Sequence, residues 1–316
     1  MPDGGIWGRY WHYDRIASCF DDAGARNYDN CVADGWRAFF ADLAKGACIL
    51  DLCTGNGAAA LLAAADGRAA RIVAVDQADI DPPAYVSRHA ALYAAIDFRG
   101  GTNVESLPFG NGGFDAVVSQ YGVEYSDLTI SVPEAVRMLA PGGRIRFVVH
   151  AADGVVARDS KKIIADADLL LDEIDLPGHA ARCFEAVLAV ERNDGDSTLA
   201  DSSFAGFQEA LLRTARHVPQ ASDQTMVKNS GAVLLDTFQR RGHFDLEQLL
   251  AKTEEVRAEI VCHRGRLAAL VEAALDADQA SALADLLSAY GGVAASRPLT
   301  GPQGLIGHVV AARFQG

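Results

Sequence analysis

The apolar and polar positions of this chain change period several times, and the changes mark its elements. Cys48 to Asp51 is an apolar run that suits a buried strand; Cys53-Thr54-Gly55-Asn56-Gly57 interrupts it, and Ala58 to Ala65 reads as a helix. Arg71 to Asp76 is a second strand ending in an acid, and Gly113 to Ser119 opens another. Ala135 to Leu139 is helical, Pro141-Gly142-Gly143 turns the chain, and Arg144 to Val149 is again a strand. Upstream, Val32 to Leu43 places Trp36, Phe39, Phe40 and Leu43 on one helical side. Strand and helix alternate through His150, which predicts a parallel sheet covered on both faces.

From Ala151 the alternation stops. Apolar residues recur at helical spacing around Ile163, Leu170, Phe184, Phe207 and Leu234, with turns at Pro177-Gly178, Asn193-Asp194-Gly195 and Pro219. A long helix is predicted from the capping pair Asp245 and Gln248 to about Leu275, with Gly265 as a place for a kink. A second capping pair, Asp276 and Gln279, starts a helix that Gly291-Gly292 stops. Val293 to Leu299 and Leu305 to Phe314 then read as a hairpin. The expected organisation is an aromatic-rich arm over 1–36, a nucleotide-type core over 37–150, a helical insertion over 151–275, and a helix and hairpin over 276–316 that complete the core sheet.

A glycine turn between a strand and a helix exposes backbone to a ligand, and the helix start offers unpaired N–H groups. Asp76 follows Asp51 by about 25 residues, where a carboxylate can hold two ribose hydroxyls. Both point to a nucleoside site. A dinucleotide fingerprint would place glycine at Cys53, Gly55 and Ala58, and only Gly55 obeys.

The spelling Asp51-x-Cys53-x-Gly55-x-Gly57 instead resembles the first motif of class I S-adenosylmethionine (SAM) methyltransferases, with Cys53 in place of the first glycine. Asn103 to Phe109 followed by the Gly113 to Ser119 strand resembles the family's adenine-contacting segment. Arg137-Met138-Leu139-Ala140-Pro141-Gly142-Gly143 resembles its passage into the fifth strand. The resemblance implies an α/β fold: a Rossmann-like, seven-stranded, mostly parallel sheet closed by an antiparallel C-terminal hairpin. It implies Asp51, Cys53, Gly55, Gly57, Asp76, Gln77, Asn103, Val104 and Ser119 at the cofactor, with S-adenosylhomocysteine as product. On the acceptor side stand Gln120, Tyr121, Glu124, Tyr125 and His150, with His150 as a general base, Glu124 accepting from an amine or hydroxyl, and His12 a remoter choice. Asp81-Pro82-Pro83-Ala84-Tyr85 is similar to a signature of DNA amino methyltransferases, but it follows the second strand rather than the fourth and reads as a loop and helix start.

Charge narrows the acceptor. With a formal net charge of −14 and no basic cluster beyond pairs such as Lys161-Lys162 and Arg240-Arg241, nucleic acid is not expected as a partner. The six cysteines show no C-x-x-C spacing, which removes a zinc module and a radical-SAM cluster, so no metal is expected; reduced thiols fit a cytoplasmic protein. Met1 to Trp11 has no secretory pattern, and no window is long and apolar enough to span a membrane. The arm's aromatics, Trp7, Tyr10, Trp11, Tyr13, Phe20, Tyr28 and Trp36, read as packing or as a lid over a sulfonium cation, with Tyr10, Tyr13 and Tyr28 as contact candidates. The expected function is direct in-line methylation of a small-molecule acceptor at oxygen or nitrogen. The alternatives are a SAM-binding protein without methyl transfer and an NAD-linked oxidoreductase. The helical insertion is expected to cap the acceptor or to form a homodimer contact.

Overall fold

The computed structural model describes residues 4–17 and 26–316; Cys19 and Phe20 lie outside them. The chain divides into two compact units, Met1–Arg158 with Ala269–Gly316, and Asp159–Ala268.

In the first unit, α1 (Gly4–Trp11) and α2 (Cys31–Ala41) precede β1 (Cys48–Leu52), α3 (Ala58–Asp66) and β2 (Arg71–Val75). Two short helical turns, α4 (Pro82–Tyr85) and α5 (Ala90–Tyr93), lead to β3 (Ile96–Arg99), β4 (Phe114–Gln120), α6 (Leu128–Arg137) and β5 (Leu139–Val149). The sheet is ordered β3-β2-β1-β4-β5-β7-β6, where β6 is Gly292–Gly301 and β7 is Gly304–Phe314. β1 to β5 pair in parallel, whereas β7 runs antiparallel between β5 and β6. The predicted hairpin thus closes a seven-stranded sheet.

Both faces are buried, as the unbroken apolar strands require. On one face Ile49, Ala74, Val118, Val148 and Val309 pack with Trp36 and Phe40 of α2 and with the alanines of α3. On the other, Leu50, Val73, Val117, Phe147 and Val310 meet Val132 of α6 and Leu283 and Leu287 of α12 (Ala277–Ala289). Each fully buried large apolar side chain stabilises this arrangement by about 1.5–3 kcal/mol. Strand order reverses between β1 and β4, the point in an open α/β sheet where a ligand crevice forms beyond the carboxyl ends.

The second unit draws on α7 (Val155–Asp168), α8 (Leu176–Glu191), α9 (Ser197–His217), α10 (Gln224–Gln239) and α11 (Leu246–Ala273). Its own core joins Leu170, Phe184, Phe207, Leu234, Leu249 and Ile260. Gln248 and Asp245 exchange side-chain to backbone hydrogen bonds ahead of α11, and Asp276 with Gln279 does the same for α12. α11 runs unbroken through Gly265, because one glycine weakens a helix without interrupting its hydrogen-bond ladder. No helix among the described residues is long and apolar enough to cross a membrane.

Candidate functional site

β1 delivers Asp51 into the interior, 1% exposed, where it accepts the Thr54 hydroxyl at 2.6 Å. Burial pushes its carboxyl up to about 7, opposed by the Thr54 hydroxyl and the Ala60 amide and aided by the nearby Asp76 charge. The turn that follows needs left-handed backbone three times, at Cys53 (φ 53°), Gly55 (φ 53°) and Gly57 (φ 83°). Glycine takes this at no steric cost, whereas Cys53 is strained by about 1–2 kcal/mol.

Asp76, at the end of β2, ties that turn to the second strand. One carboxylate oxygen accepts the Gly55 N–H at 2.8 Å and the other the Ala78 N–H at 2.9 Å. Burial raises its pKa, and these amides pull it back. The Gln77 amide also acts on it, and the carboxylate keeps acceptor capacity for a further donor.

Around this carboxylate lies an open cleft. Asp76, Gln77, Ala78 and Val104 form one side and Cys53 and Gly122 the floor, while Trp7, Trp11, Tyr121 and Tyr125 bring aromatic surface. No lysine or arginine among the described residues lines it. Burial drives the Cys53 thiol well above its ordinary pKa, and the charges of Asp76, Glu124, Asp51 and Glu105 push the same way. The field inside is therefore negative.

Next to the pocket is a buried pair. Glu124, in a short turn after β4, accepts with Oε1 from the His150 backbone N–H at 2.9 Å and meets the His150 Nδ1 at 2.7 Å. Its Oε2 is buried with no donor among the described residues. The His150 ring stacks on Tyr121 at 4.2 Å, and the Tyr121 hydroxyl donates to the Ile306 carbonyl at 3.0 Å.

Of the residues expected at the cofactor, Cys53, Asp76, Gln77 and Val104 line the pocket, and Gly55 is bonded to Asp76. Asp51 stands behind the turn. Ser119 is spent internally, donating to the Leu52 carbonyl and accepting the Val123 amide. Asn103 uses its side-chain oxygen on the Glu105 amide at 2.9 Å, and Gly57 faces Tyr93 and Phe98. Among the acceptor-side candidates Tyr121 and Tyr125 reach the wall, whereas Glu124 and His150 lie next to it. Gln120 accepts from the Trp36 indole. His12 is at hydrogen-bonding distance from the Asp79 carbonyl and stacks on Tyr85, away from the pocket.

The arm contributes different aromatics from those singled out. Tyr10 carries Arg15 over its ring, Tyr13 is 52% exposed, and Tyr28 packs edge-on against Tyr121. Trp7 and Trp11 reach the pocket instead, and their i, i+4 spacing on α1 was the available signal. Trp11 lies so close over the turn that a Cβ on Gly55 would come within 2.4 Å of its ring. Asn56, also missed, donates its amide to the carbonyls of Trp11 (3.0 Å), Tyr13 (3.3 Å) and Arg15 (2.8 Å), fastening the arm to the turn.

The wall combines one carboxylate that has acceptor capacity left with several aromatic faces. Residues 49–143 match a family described as "Methyltransferase domain". Among solved structures, a methyltransferase of Haloferax volcanii in complex with the Trm112 activator is 25% identical, covering 38% of this chain and 52% of that one, with a TM-score of 0.32. An S-adenosylmethionine-dependent methyltransferase from Mesorhizobium loti is 24% identical over 38% of this chain and 56% of that one, TM-score 0.32. A Galdieria sulphuraria protein described as a sarcosine dimethylglycine methyltransferase is 15% identical over 98% of both chains, TM-score 0.40. The chain thus spans about half the length of the first two. No curated protein matches it by sequence.

Proposed function

We propose that this chain, whose residues 49–143 match a methyltransferase-domain family, is a class I S-adenosylmethionine-dependent methyltransferase that binds SAM in the pocket beside Asp76 and methylates a nitrogen or oxygen of a small-molecule acceptor. The observation that carries the reading is the pocket's charge. A sulfonium nucleoside is favoured beside Asp76 and the aromatic faces, whereas the pyrophosphate of a dinucleotide would meet the Asp76 carboxylate and, among the described residues, no cation on the wall.

When bound, SAM supplies a methyl group already activated on a positively charged sulfur. The chain's part is to hold and orient. Asp76 offers its remaining acceptor capacity to the ribose hydroxyls, and Trp7, Trp11, Tyr121 and Tyr125 exclude water. Well-oriented reactants gain roughly 7–11 kcal/mol from alignment alone. Glu124 Oε1 meets Nδ1 of His150 at 2.7 Å, and with Nδ1 as the donor Nε2 is the basic nitrogen of the pair. That pair is the sink for a proton released by an N–H or O–H acceptor. The reading also keeps a cytoplasmic enzyme whose helical unit, with Leu199, Leu212 and Val233 exposed, forms a homodimer contact; sedimentation would detect it.

The test is calorimetry with S-adenosylhomocysteine. Wild type binds, and Asp76→Ala binds at least about tenfold more weakly, the worth of one charge-assisted hydrogen bond or more. Unchanged affinity, or a rise in Tm with NADH and none with S-adenosylhomocysteine, overturns the assignment.

A further inference from the structure

A second polar cluster lies on the α2-facing side of the sheet, apart from the pocket. The strand register puts Gln120, Val148, Val309 and Arg297 in one row across β4, β5, β7 and β6. The next row holds Val118, Arg146, Ala311 and Ala295. Side chains two apart on a strand share a face, so Gln120, Arg146 and Arg297 all project to the side that α2 covers.

Arg146 is only 6% exposed, yet among the described residues it makes no hydrogen bond and no ion pair, and its Nε is a buried donor without an acceptor. Its guanidinium lies 5.0 Å from the Trp36 ring centroid and 5.9 Å from that of Phe39. It also presses on bare helix backbone: a Cβ on Gly35 would meet its Nη2 at 2.7 Å, which accounts for a glycine inside α2. Trp36 donates to the Gln120 Oε1, while the Gln120 Nε2 is a second buried donor with no acceptor. Arg297 adds a further cation, also without an ion pair among the described residues. Burial, with Arg297 adding to it, brings the Arg146 guanidinium down to about 10. Nearby, Asp42 is occupied by Arg144 at 2.5 Å and Arg313 at 2.8 Å.

A buried guanidinium normally brings its counter-charge with it, because an isolated buried charge is expensive. Here every unsatisfied group is a donor, and the surplus is positive in a chain of net charge −14. We propose that this layer is a binding site for an oxyanion, the carboxylate or phosphate group of a small molecule, held by Arg146 and Gln120 with Arg297 at the mouth. Planar, fork-shaped donors suit that chemistry. The site does not depend on what occupies the Asp76 pocket.

The experiment follows thermal unfolding and calorimetric binding with inorganic phosphate and, separately, acetate, each against chloride at equal ionic strength. Wild type should be stabilised by at least one of the two beyond chloride, and the responding salt identifies the oxyanion. Arg297→Gln should weaken that response at least about tenfold and Arg146→Met should abolish it, while Arg192→Gln, an exposed arginine of the other unit, controls for net charge. No specific response in wild type, or the same response in all three variants, overturns the proposal. So does an Arg146→Met protein that is more stable with its anion response intact, since the arginine would then only fill the layer under Trp36. If Arg146→Met does not fold, Arg297→Gln decides.

Discussion

One sheet carries opposite chemistry at two places. Beyond the ends of β1, β2 and β4, carboxylates gather round a pocket and are held by backbone amides, as Asp76 is by Gly55 and Ala78. Under α2, on β5 and β6, Arg146 and Arg297 gather, and the Arg146 Nε has no acceptor among the described residues. A net charge of −14 describes neither place. It bears on solubility and on long-range attraction of polyanions, whereas the ligand meets the few groups within a Debye length of about 8–10 Å.

The sharpest way to break this contrast is at Glu124. Glu124→Gln keeps the shape but removes the charge that orients and stabilises His150, so turnover should fall about 10²–10⁴-fold with S-adenosylhomocysteine affinity little changed. Steady-state kinetics beside calorimetry reads this. Equal loss of binding and turnover would make Glu124 part of the cofactor wall, and the phosphate response on the far side should not move in either case.

Asp51 gives a pH signature that the arginine layer cannot. Its folded-state pKa, about 7, lies above the unfolded value of 3.8, so the folded state holds the proton more tightly. Stability from this group is complete below about pH 4 and is lost as pH rises to about 7, by an amount on the order of a few kcal/mol. Asp51→Asn should flatten that part of the curve of unfolding free energy against pH. An unchanged slope between those values would remove Asp51 as its source.

The smallest expected effect concerns the arm. Gly55→Ala should destabilise by about 1–3 kcal/mol, part from left-handed backbone and part from the Trp11 ring. In a Trp11→Ala background the second part disappears, so chemical denaturation of the two single mutants and the double mutant should give a coupling of about 1 kcal/mol. Strict additivity would mean that Trp11 does not rest on the turn in solution.

What the sequence determined by itself was local. The strand, glycine turn and helix at Cys48 to Ala65 could be read because positive φ selects glycine at 55 and 57, and the two capping boxes because their partners lie three residues apart. Asp76 as the acid of the pocket was legible too, since its place at a strand end follows from the period. The tertiary structure alone decided which aromatics reach the pocket, that Ser119 donates to the Leu52 carbonyl of the neighbouring strand, that Asn56 fastens the arm, and that Arg146 is buried with no counter-charge among the described residues. These depend on contacts between residues tens to hundreds of positions apart, such as Tyr121 with Ile306. Sequence periodicity reports which face a side chain occupies. It carries no information about which distant element packs there, and that packing is what leaves one polar group satisfied and another waiting for a ligand.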